Sequence, residues 1–320
     1  MRPRAAALAS DALVEAAATE YLTDGGGALG AVLAGFFAAA GAEPGVLLGP
    51  LSVLVAGTGQ GARAFDGRLR QPGLGAKRPR GFTDANVPPA ARVAAPTAIA
   101  TAVIAHAYGG GQSLRSMLRP GVAAAERAGV PSRMALLERV AQVGAAALLE
   151  AAYRRPLLRV GSPSEGGQLT PTDLDPPSDV DEPAIERLDG GSRWVLSPWL
   201  DAIAADGEVA GQGSAIVAVD TLGVFAAASY RRVFEGVWIE ELGLFAPPSA
   251  VPVMRGVPRV SPGARLPTPA PLGVRFDDAG RQIEVAAEPQ ARRIDLTLST
   301  RFSLSIRRDP DTRNIATHRG

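Results

Sequence analysis

Apolar residues recur with a helical period through most of the first half of the chain. An alanine-rich stretch over 5–22 predicts a first helix, and the uncharged run over 25–42 predicts a second one. The second run approaches the length of a membrane span, but Pro44 leads directly into further apolar residues, so we expect a buried helix. The segments GVLLGPLSVLVAG and QGARAFDGR predict two strands joined by the turn TGQ. Further helices are predicted near 96–108, 113–128 and 132–150.

The character of the sequence changes after residue 155. Residues 156–198 are rich in Pro, Ser, Asp and Gly, which favours loops over packed elements. Beyond them, the pattern predicts strands over 214–220, 223–230, 236–244, 272–276 and 281–286, and a final pair near 294–306. Helices early and strands late in one chain indicate an α+β fold. We expect a single domain over 1–320, with a helix-rich part (1–155), a connection (156–212), a strand-rich part (213–306) and a polar tail (307–320).

Composition narrows the possible chemistry. The chain carries 33 basic and 32 acidic residues, a net charge of +1, which gives no electrostatic basis for binding nucleic acid or an anionic membrane. Cysteine is absent, so disulfides, thiolate nucleophiles and cysteine metal sites are excluded. The two histidines, His106 in an apolar helical pattern and His318 in the polar tail, lack zinc-like spacing. We therefore expect a soluble, cytoplasmic protein with no metal and no cofactor.

Three glycine-containing segments raise chemical questions. GTGQGA at 57–62 lacks the G-x-G-x-x-G spacing of a dinucleotide loop, so we interpret it as a hairpin turn. In FDGRLRQPG, Arg68 follows a glycine at a strand end, where it is either a surface residue at a turn or a bidentate partner for a carboxylate. In GQGSAIVAVD, Ser214 follows two glycines and precedes an apolar run. This segment is either a turn into a buried strand, the junction of a self-cleaving hydrolase, or the remnant of such a junction.

The order of several segments resembles the γ-glutamyltransferase family of N-terminal-nucleophile (Ntn) hydrolases. The stretch from LASDALVEA to SVLVAG is similar to that family's opening helices and Gly-rich strand, and AFDGRLRQPG resembles its LDGRExAP segment. GGQLTPTDL resembles its G-x-x-L-T-x-x-D-L turn. In the second half, GSAIVAVDTLGVFAAASY is similar to TTHFSVVDxxGNAVAxTxT, and SPGARLPTPAPLGVRFDDAGR is similar to GKRPLSSMSPTIVxxDG. The order is kept over about 10–290.

The resemblance implies an Ntn-hydrolase-like αββα sandwich, in which two antiparallel-rich sheets lie between helical layers. It also implies a particular chemistry. A Thr hydroxyl attacks the carbonyl that precedes it and splits the chain, after which the same hydroxyl transfers acyl groups with the new α-amine as base. A Gly pair and Ser side chains stabilise the oxyanion, and an Arg holds the α-carboxylate of a γ-glutamyl substrate. A small γ-glutamyl or other carboxylate ligand is therefore the expected partner.

The nucleophile position does not match the family. When Asp220 is aligned with the family's Asp, the TTH motif falls on Gly213, Ser214 and Ala215. Gly213 has no side chain, and Ser214 reaches the nucleophile position only after a one-residue slip, which turns its side chain to the other face of the strand. Ser214 is therefore the one candidate catalytic residue.

The substrate-binding positions match unevenly. Arg68 falls on the carboxylate-binding Arg, and it becomes a candidate substrate-binding residue. The family's paired serines fall on Thr268 and Pro269, which leaves Thr268 as the second candidate. The oxyanion glycines fall on AAEPQ, and the Asn-bearing segment after the second strand has become YRRVFEG.

Three hypotheses follow from this uneven match. The first is a shortened γ-glutamyltransferase-like protein that has lost the Thr nucleophile and γ-glutamyl transfer, with Arg68 either binding a carboxylate ligand or serving a structural role. The second is an active Ntn amidohydrolase that uses Ser214 after self-cleavage. The third is a non-catalytic interaction subunit that associates with an intact paralogue or forms a homo-oligomer.

Overall fold

The computed structural model describes residues 4–57, 61–77, 79–83, 86–109, 111–189, 192–198, 212–267, 271–288 and 303–320. The α-helices of these ranges are α1 (Ala12–Thr23), α2 (Ala28–Ala42), α3 (Ala98–Gly109), α4 (Leu114–Arg127), α5 (Pro131–Val143) and α6 (Ala151–Val160). The strands are β1 (Ala6–Ala9), β2 (Leu51–Ala56), β3 (Arg63–Gly67), β4 (Asp181–Pro183), β5 (Ile185–Asp189), β6 (Ser192–Leu196), β7 (Gln212–Val219), β8 (Phe225–Arg232), β9 (Val237–Ile239), β10 (Leu244–Ala246), β11 (Leu272–Phe276), β12 (Gln282–Ala287), β13 (Leu304–Arg308) and β14 (Ile315–Arg319).

Two six-stranded antiparallel sheets pack face to face. The first has the strand order β1-β7-β8-β2-β3-β4, and the second has the order β14-β13-β12-β11-β6-β5. Because side chains alternate along a strand, each sheet turns every second residue toward the other sheet. These residues form one apolar cluster between the sheets, which includes Val217, Phe225, Leu272, Val285 and Ile306. We call this side of the first sheet its inter-sheet face.

The helices lie against the opposite side of the first sheet, which we call its helical face. Helix α2 crosses the middle of this layer and is almost completely buried. Its Ala and Gly residues let α4 approach very closely, since a Cβ atom on Gly41 would lie 1.9 Å from the carbonyl oxygen of Gly121. The buried helix predicted over 25–42 is therefore confirmed. None of the described helices is long and apolar enough to cross a membrane.

The predicted α+β class with two packed antiparallel sheets is confirmed, and so are the β2–β3 hairpin and the helices α3 to α5. The resemblance also implies a second helical layer, on the outer side of the second sheet. None of the described helices makes an extensive contact with a strand of the second sheet. Within the ranges given above, the helices cover one side of the sandwich.

Three segments differ from the sequence expectation. Residues 6–9 are not the start of a helix over 5–22, because they form β1 and pair with β7; α1 begins at Ala12, capped by Asp11. The connection 156–212, expected as a loop, contains the end of α6 and the strands β4 to β6. The polar tail 307–320 contains β14, which pairs with β13 at the sheet edge. β1, β4 and β6 become strands by pairing with strands far away in sequence, whereas β14 pairs with β13 across a short turn.

Candidate functional site

The first residues of β7 turn to different sides of the sheet. Gly213 pairs with Arg231 of β8, and Ser214 pairs with Tyr230. Ala215 and Val217 belong to the cluster between the sheets, so Gly213, two residues before Ala215, lies on the inter-sheet face. Ser214 lies on the helical face. A one-residue slip would move the nucleophile position from Gly213 to Ser214. In the structure these two residues lie on opposite faces of the sheet.

The Ser214 hydroxyl is part of the packed layer beneath the helices. The residue is 1% exposed, and its side chain shares a hydrogen bond with the phenol of Tyr230. The Tyr230 ring in turn packs edge-on against Phe36 of α2, with 5.8 Å between the ring centroids. Burial raises the pKa of Tyr230 well above its usual value, so the phenol stays protonated. Ser214 is therefore a buried residue whose hydroxyl forms a hydrogen bond within the packed layer.

Arg231 lies opposite Gly213 on the inter-sheet face. Its neighbours two and four positions earlier on β8, Ser229 and Ala227, have the same orientation by strand alternation. Burial lowers the pKa of Arg231 to about 10, because the charged guanidinium is partly removed from water. A glycine on one strand thus faces a long cationic side chain on the next. The sequence analysis did not identify Arg231, although the replacement of the Asn-bearing segment by YRRVFEG pointed to this region.

Arg68 is nearly buried and already binds a carboxylate. Its Nε lies 2.9 and 3.0 Å from the two carboxylate oxygens of Asp66, and its Nη2 lies 2.7 Å from Oδ2. The Asp66 side chain is fully buried and also accepts from Nε of Arg265 at 3.2 Å. Asp66 and Arg68 meet where β3 ends, and the backbone N–H group of Arg68 also donates to Oδ1 of Asp66 at 3.0 Å. That spacing, D-G-R, was the signal available in the sequence.

The glycine between these two residues has a steric reason. A Cβ atom on Gly67 would lie 2.4 Å from the carbonyl oxygen of Leu51 on β2 and 2.9 Å from Oγ1 of Thr101 on α3. Thr97, the residue directly before α3, donates its hydroxyl to the carbonyl oxygen of Arg68 at 2.9 Å. The D-G-R segment therefore fixes the end of β3 against β2 and α3. Its fit to the family pattern is accounted for by packing and by the internal ion pair.

Two buried serines lie beside this ion pair. Ser52 of β2 pairs with Ser229 of β8 on one side and with Asp66 of β3 on the other, and all three lie on the inter-sheet face. Ser52 is 1% exposed and Ser229 is 2% exposed. Neither hydroxyl has a hydrogen-bond partner in the described part of the chain. This polar row was not identified from the sequence, because serines in strands carry no distinctive spacing.

The remaining predicted positions divide into two groups. Thr268 and Pro269, onto which the family's paired serines fall, lie outside the described residues, as does the end of the AAEPQ segment. The LT-x-x-DL turn is described, and Asp173 organises it: its carboxylate accepts from the backbone N–H groups of Gly73 at 2.8 Å, Leu74 at 3.0 Å and Thr170 at 2.8 Å. This turn therefore anchors the loop that follows Arg68.

Asp220, on which the resemblance was aligned, is also a structural residue. Its Oδ1 accepts from the N–H groups of Leu222 and Val224 in the β7–β8 turn, at 2.9 and 3.0 Å. Its Oδ2 accepts from the N–H group of Ala28, the first residue of α2, at 3.1 Å. Helix α2 has no side-chain cap of its own at Gly27, so Asp220 supplies the acceptor from the other half of the chain.

Comparisons with known proteins give matches in structure. No family model matches the sequence, and a search of curated proteins gives no match. A structure of LmbA has 16% identity and a TM-score of 0.66, covering 89% of this chain and 78% of that chain. Cephalosporin acylase from Bacillus halodurans has 14% identity and a TM-score of 0.65, over 89% of this chain and 77% of that one. γ-Glutamyltranspeptidase from Pseudomonas nitroreducens has 18% identity and a TM-score of 0.51, over 60% and 70%.

These similarities extend over most of the described chain for the first two structures. At such low identities they concern the fold, and they agree with the two packed antiparallel sheets and the helical layer found here. The chain therefore has the fold of the Ntn hydrolases, the fold that its resemblance to the γ-glutamyltransferases implies.

Proposed function

We propose that this protein is a γ-glutamyltransferase-like chain that has lost its nucleophile and with it γ-glutamyl transfer and hydrolysis. The observation that carries the proposal is the pairing of Gly213 with Arg231 on the inter-sheet face. Acyl transfer by this type of enzyme needs a hydroxyl on the residue at the start of the strand that also supplies the N-terminal amine. Gly213 supplies no hydroxyl, and a partly desolvated guanidinium lies opposite it.

The position of Ser214 supports the same proposal. A general base must reach the hydroxyl within about 3 Å, or through one water molecule. The Ser214 hydroxyl is buried on the helical face and is bonded to Tyr230. Burial raises the pKa of this phenol, which therefore stays protonated at neutral pH and cannot accept the Ser214 proton. Use of Ser214 as a nucleophile would require β7 to shift by one residue, which would move every apolar residue of the strand to the wrong face.

For Arg68 we propose a structural role. A γ-glutamyl carboxylate would have to displace Asp66, whose two oxygens already accept from the Arg68 guanidinium. Displacement would leave the Asp66 carboxylate, which is fully buried, with one fewer cationic partner, and an uncompensated buried charge is strongly unfavourable. Binding of glutathione or of another γ-glutamyl compound at Arg68 is therefore not part of the proposal.

The intact mass of the purified protein tests the proposal. We expect a single species of 32.9 kDa, unchanged after prolonged incubation. Two fragments, 1–213 and 214–320, would show self-cleavage at Ser214 and would overturn the proposal in favour of an active Ntn amidohydrolase. Hydrolysis of γ-glutamyl-p-nitroanilide should be the same for the wild type and for Ser214→Ala. A rate that disappears in Ser214→Ala would also contradict the proposal.

A further inference from the structure

A groove of about 470 Å³ lies on the outside of the helical layer, away from both sheets. Helices α1 and α4 form its walls, and α2 forms its floor through Ala38, which is 1% exposed. The ion pairs of Arg119 with Glu20 and Asp24 place the end of α1 beside the beginning of α4. The two helices are therefore antiparallel. The groove follows α4 from Ser116 to Arg127, which is about 16 Å of helix.

The middle of the groove is lined by small and apolar side chains. They are Leu13, Ala16 and Ala17 on α1, Ala38 on α2, and Pro120 and Ala123 on α4. Small residues usually allow helices to close on each other, as α2 and α4 do here. Here, α1 and α4 instead leave a groove between them, and Leu13 is 37% exposed at its edge. A groove of this size lies within the range of small-molecule sites.

The two ends of the groove differ in charge. At one end, Arg119 is held by Glu20 at 3.1 Å and by Asp24 at 2.7 Å, so its charge is compensated. At the other end, beside Leu13, lies Arg127, which is exposed and has no ion pair within the described residues. A ligand with an apolar body and one negative group would bury the body against the alanines and place the anion at Arg127.

We propose that this groove binds a small amphiphilic carboxylate, with the aliphatic part between α1 and α4 and the carboxylate on Arg127. The site lies on the other side of the helical layer from Gly213 and Arg68, so it does not depend on the proposed loss of catalysis. It takes a monocarboxylate, because the opposite end of the groove is already occupied by an internal ion-pair cluster.

Binding of octanoate and of 1-heptanol, measured by calorimetry on the full chain, tests the proposal. The two probes have the same seven-carbon aliphatic chain, and they differ in the charge of the head group. We expect saturable binding of octanoate about threefold tighter than that of 1-heptanol, because an ion pair with the exposed Arg127 adds to the apolar contact. In Arg127→Gln this preference should disappear. In Arg115→Gln, an exposed arginine of α4 that does not line the groove, it should persist.

A second pair of variants tests the groove itself. Ala16→Phe places a ring in the groove from an exposed position, so folding is preserved, and octanoate affinity should fall by at least about fivefold. Ala12→Phe, also exposed on α1 but outside the groove, should leave the affinity unchanged. The proposal is overturned if neither probe binds saturably, if the octanoate preference survives in Arg127→Gln, or if Ala16→Phe binds as the wild type does.

Discussion

The two ends of β7 differ in how well they match the γ-glutamyltransferase pattern that the chain resembles. Directly after its last residue, Asp220 matches this pattern, and both of its carboxylate oxygens accept backbone N–H groups. At its start, Gly213 lies where the pattern has the nucleophile, and Ser214 faces away from the space between the sheets. β7 pairs with β8 along its whole length, from Gln212 to Val219.

The difference separates the residues that hold the fold from those that would perform chemistry. Asp220 joins the β7–β8 turn to the start of α2, so its loss would expose unsatisfied donors in two elements. Gly213 needs only to continue the ladder, and nothing in the packing requires a hydroxyl there. The same reasoning applies to Asp173 and Asp66, which match the resemblance and have buried structural partners. The residues of the resemblance that this chain carries are ones that its fold uses, whereas function depends on the residues of the site.

The largest effect is expected for Asp220→Ala. It removes the acceptor of three backbone N–H groups, including the one at the start of α2, and we expect the free energy of unfolding to fall by about 3 kcal/mol. Urea denaturation measures it. Asp309→Ala is the matched control, because Asp309 accepts two N–H groups in the exposed β13–β14 turn without reaching a helix. Asp309→Ala should lower the free energy of unfolding by clearly less than Asp220→Ala does, because its hydrogen bonds are exposed to water. Equal losses would show that the link to α2 adds nothing.

A smaller effect is expected at the other end of the strand. Ser214→Ala and Tyr230→Phe each remove one partner of the same buried hydrogen bond, so each should lower the free energy of unfolding by about 1 kcal/mol. The double variant should lose little more than either single one, because the bond is lost only once. Additive losses in urea denaturation would contradict the Ser214–Tyr230 bond and would leave the Ser214 hydroxyl available for another role.

The same tyrosine predicts a dependence on pH. Burial raises the pKa of Tyr230 in the folded protein above its unfolded value of about 10. The phenol therefore contributes stability that is complete below about pH 10 and is lost as the pH rises through the folded pKa. Above pH 10, the difference in stability between the wild type and Tyr230→Phe should shrink and then reverse. The nearby Arg231 titrates in this range too, but it is present in both proteins and cancels in the difference.

Much of the fold was predictable from local patterns in the sequence. The apolar run that became α2, the β2–β3 hairpin and the strands β7 and β8 all follow from periodicity and turn residues. The strands β1, β4, β5, β6 and β14 were not predicted. They are edge strands or lie beside an edge strand. β1, β4 and β6 pair with strands far away along the chain, whereas β5 and β14 pair with their neighbours in sequence, β6 and β13. Ala6–Ala9, for example, is a good helical sequence that pairs with Ile216–Val219.

The candidate site was predictable only in part. Strand alternation alone placed Gly213 and Ser214 on opposite faces, and the structure agrees. The partner of Arg68 was not foreseen, because the sequence analysis considered an external carboxylate and the structure supplies Asp66 from two residues away. Arg231 was missed for a different reason. Its importance comes from the cross-strand pairing with Gly213, and a single sequence does not give the register of two strands.

The smallest effect is expected for the two serines of the inter-sheet face, Ser52 and Ser229. Their hydroxyls are as buried as that of Ser214 but have no partner in the described part of the chain. Ser52→Ala and Ser229→Ala therefore lose no hydrogen bond, and each should change the free energy of unfolding by less than about 0.5 kcal/mol, in contrast to Ser214→Ala. Urea denaturation of the three alanine variants side by side makes this comparison. A loss above about 1 kcal/mol in Ser229→Ala would mean that its hydroxyl is bonded in solution, and that the inter-sheet face holds a polar partner beside Arg231.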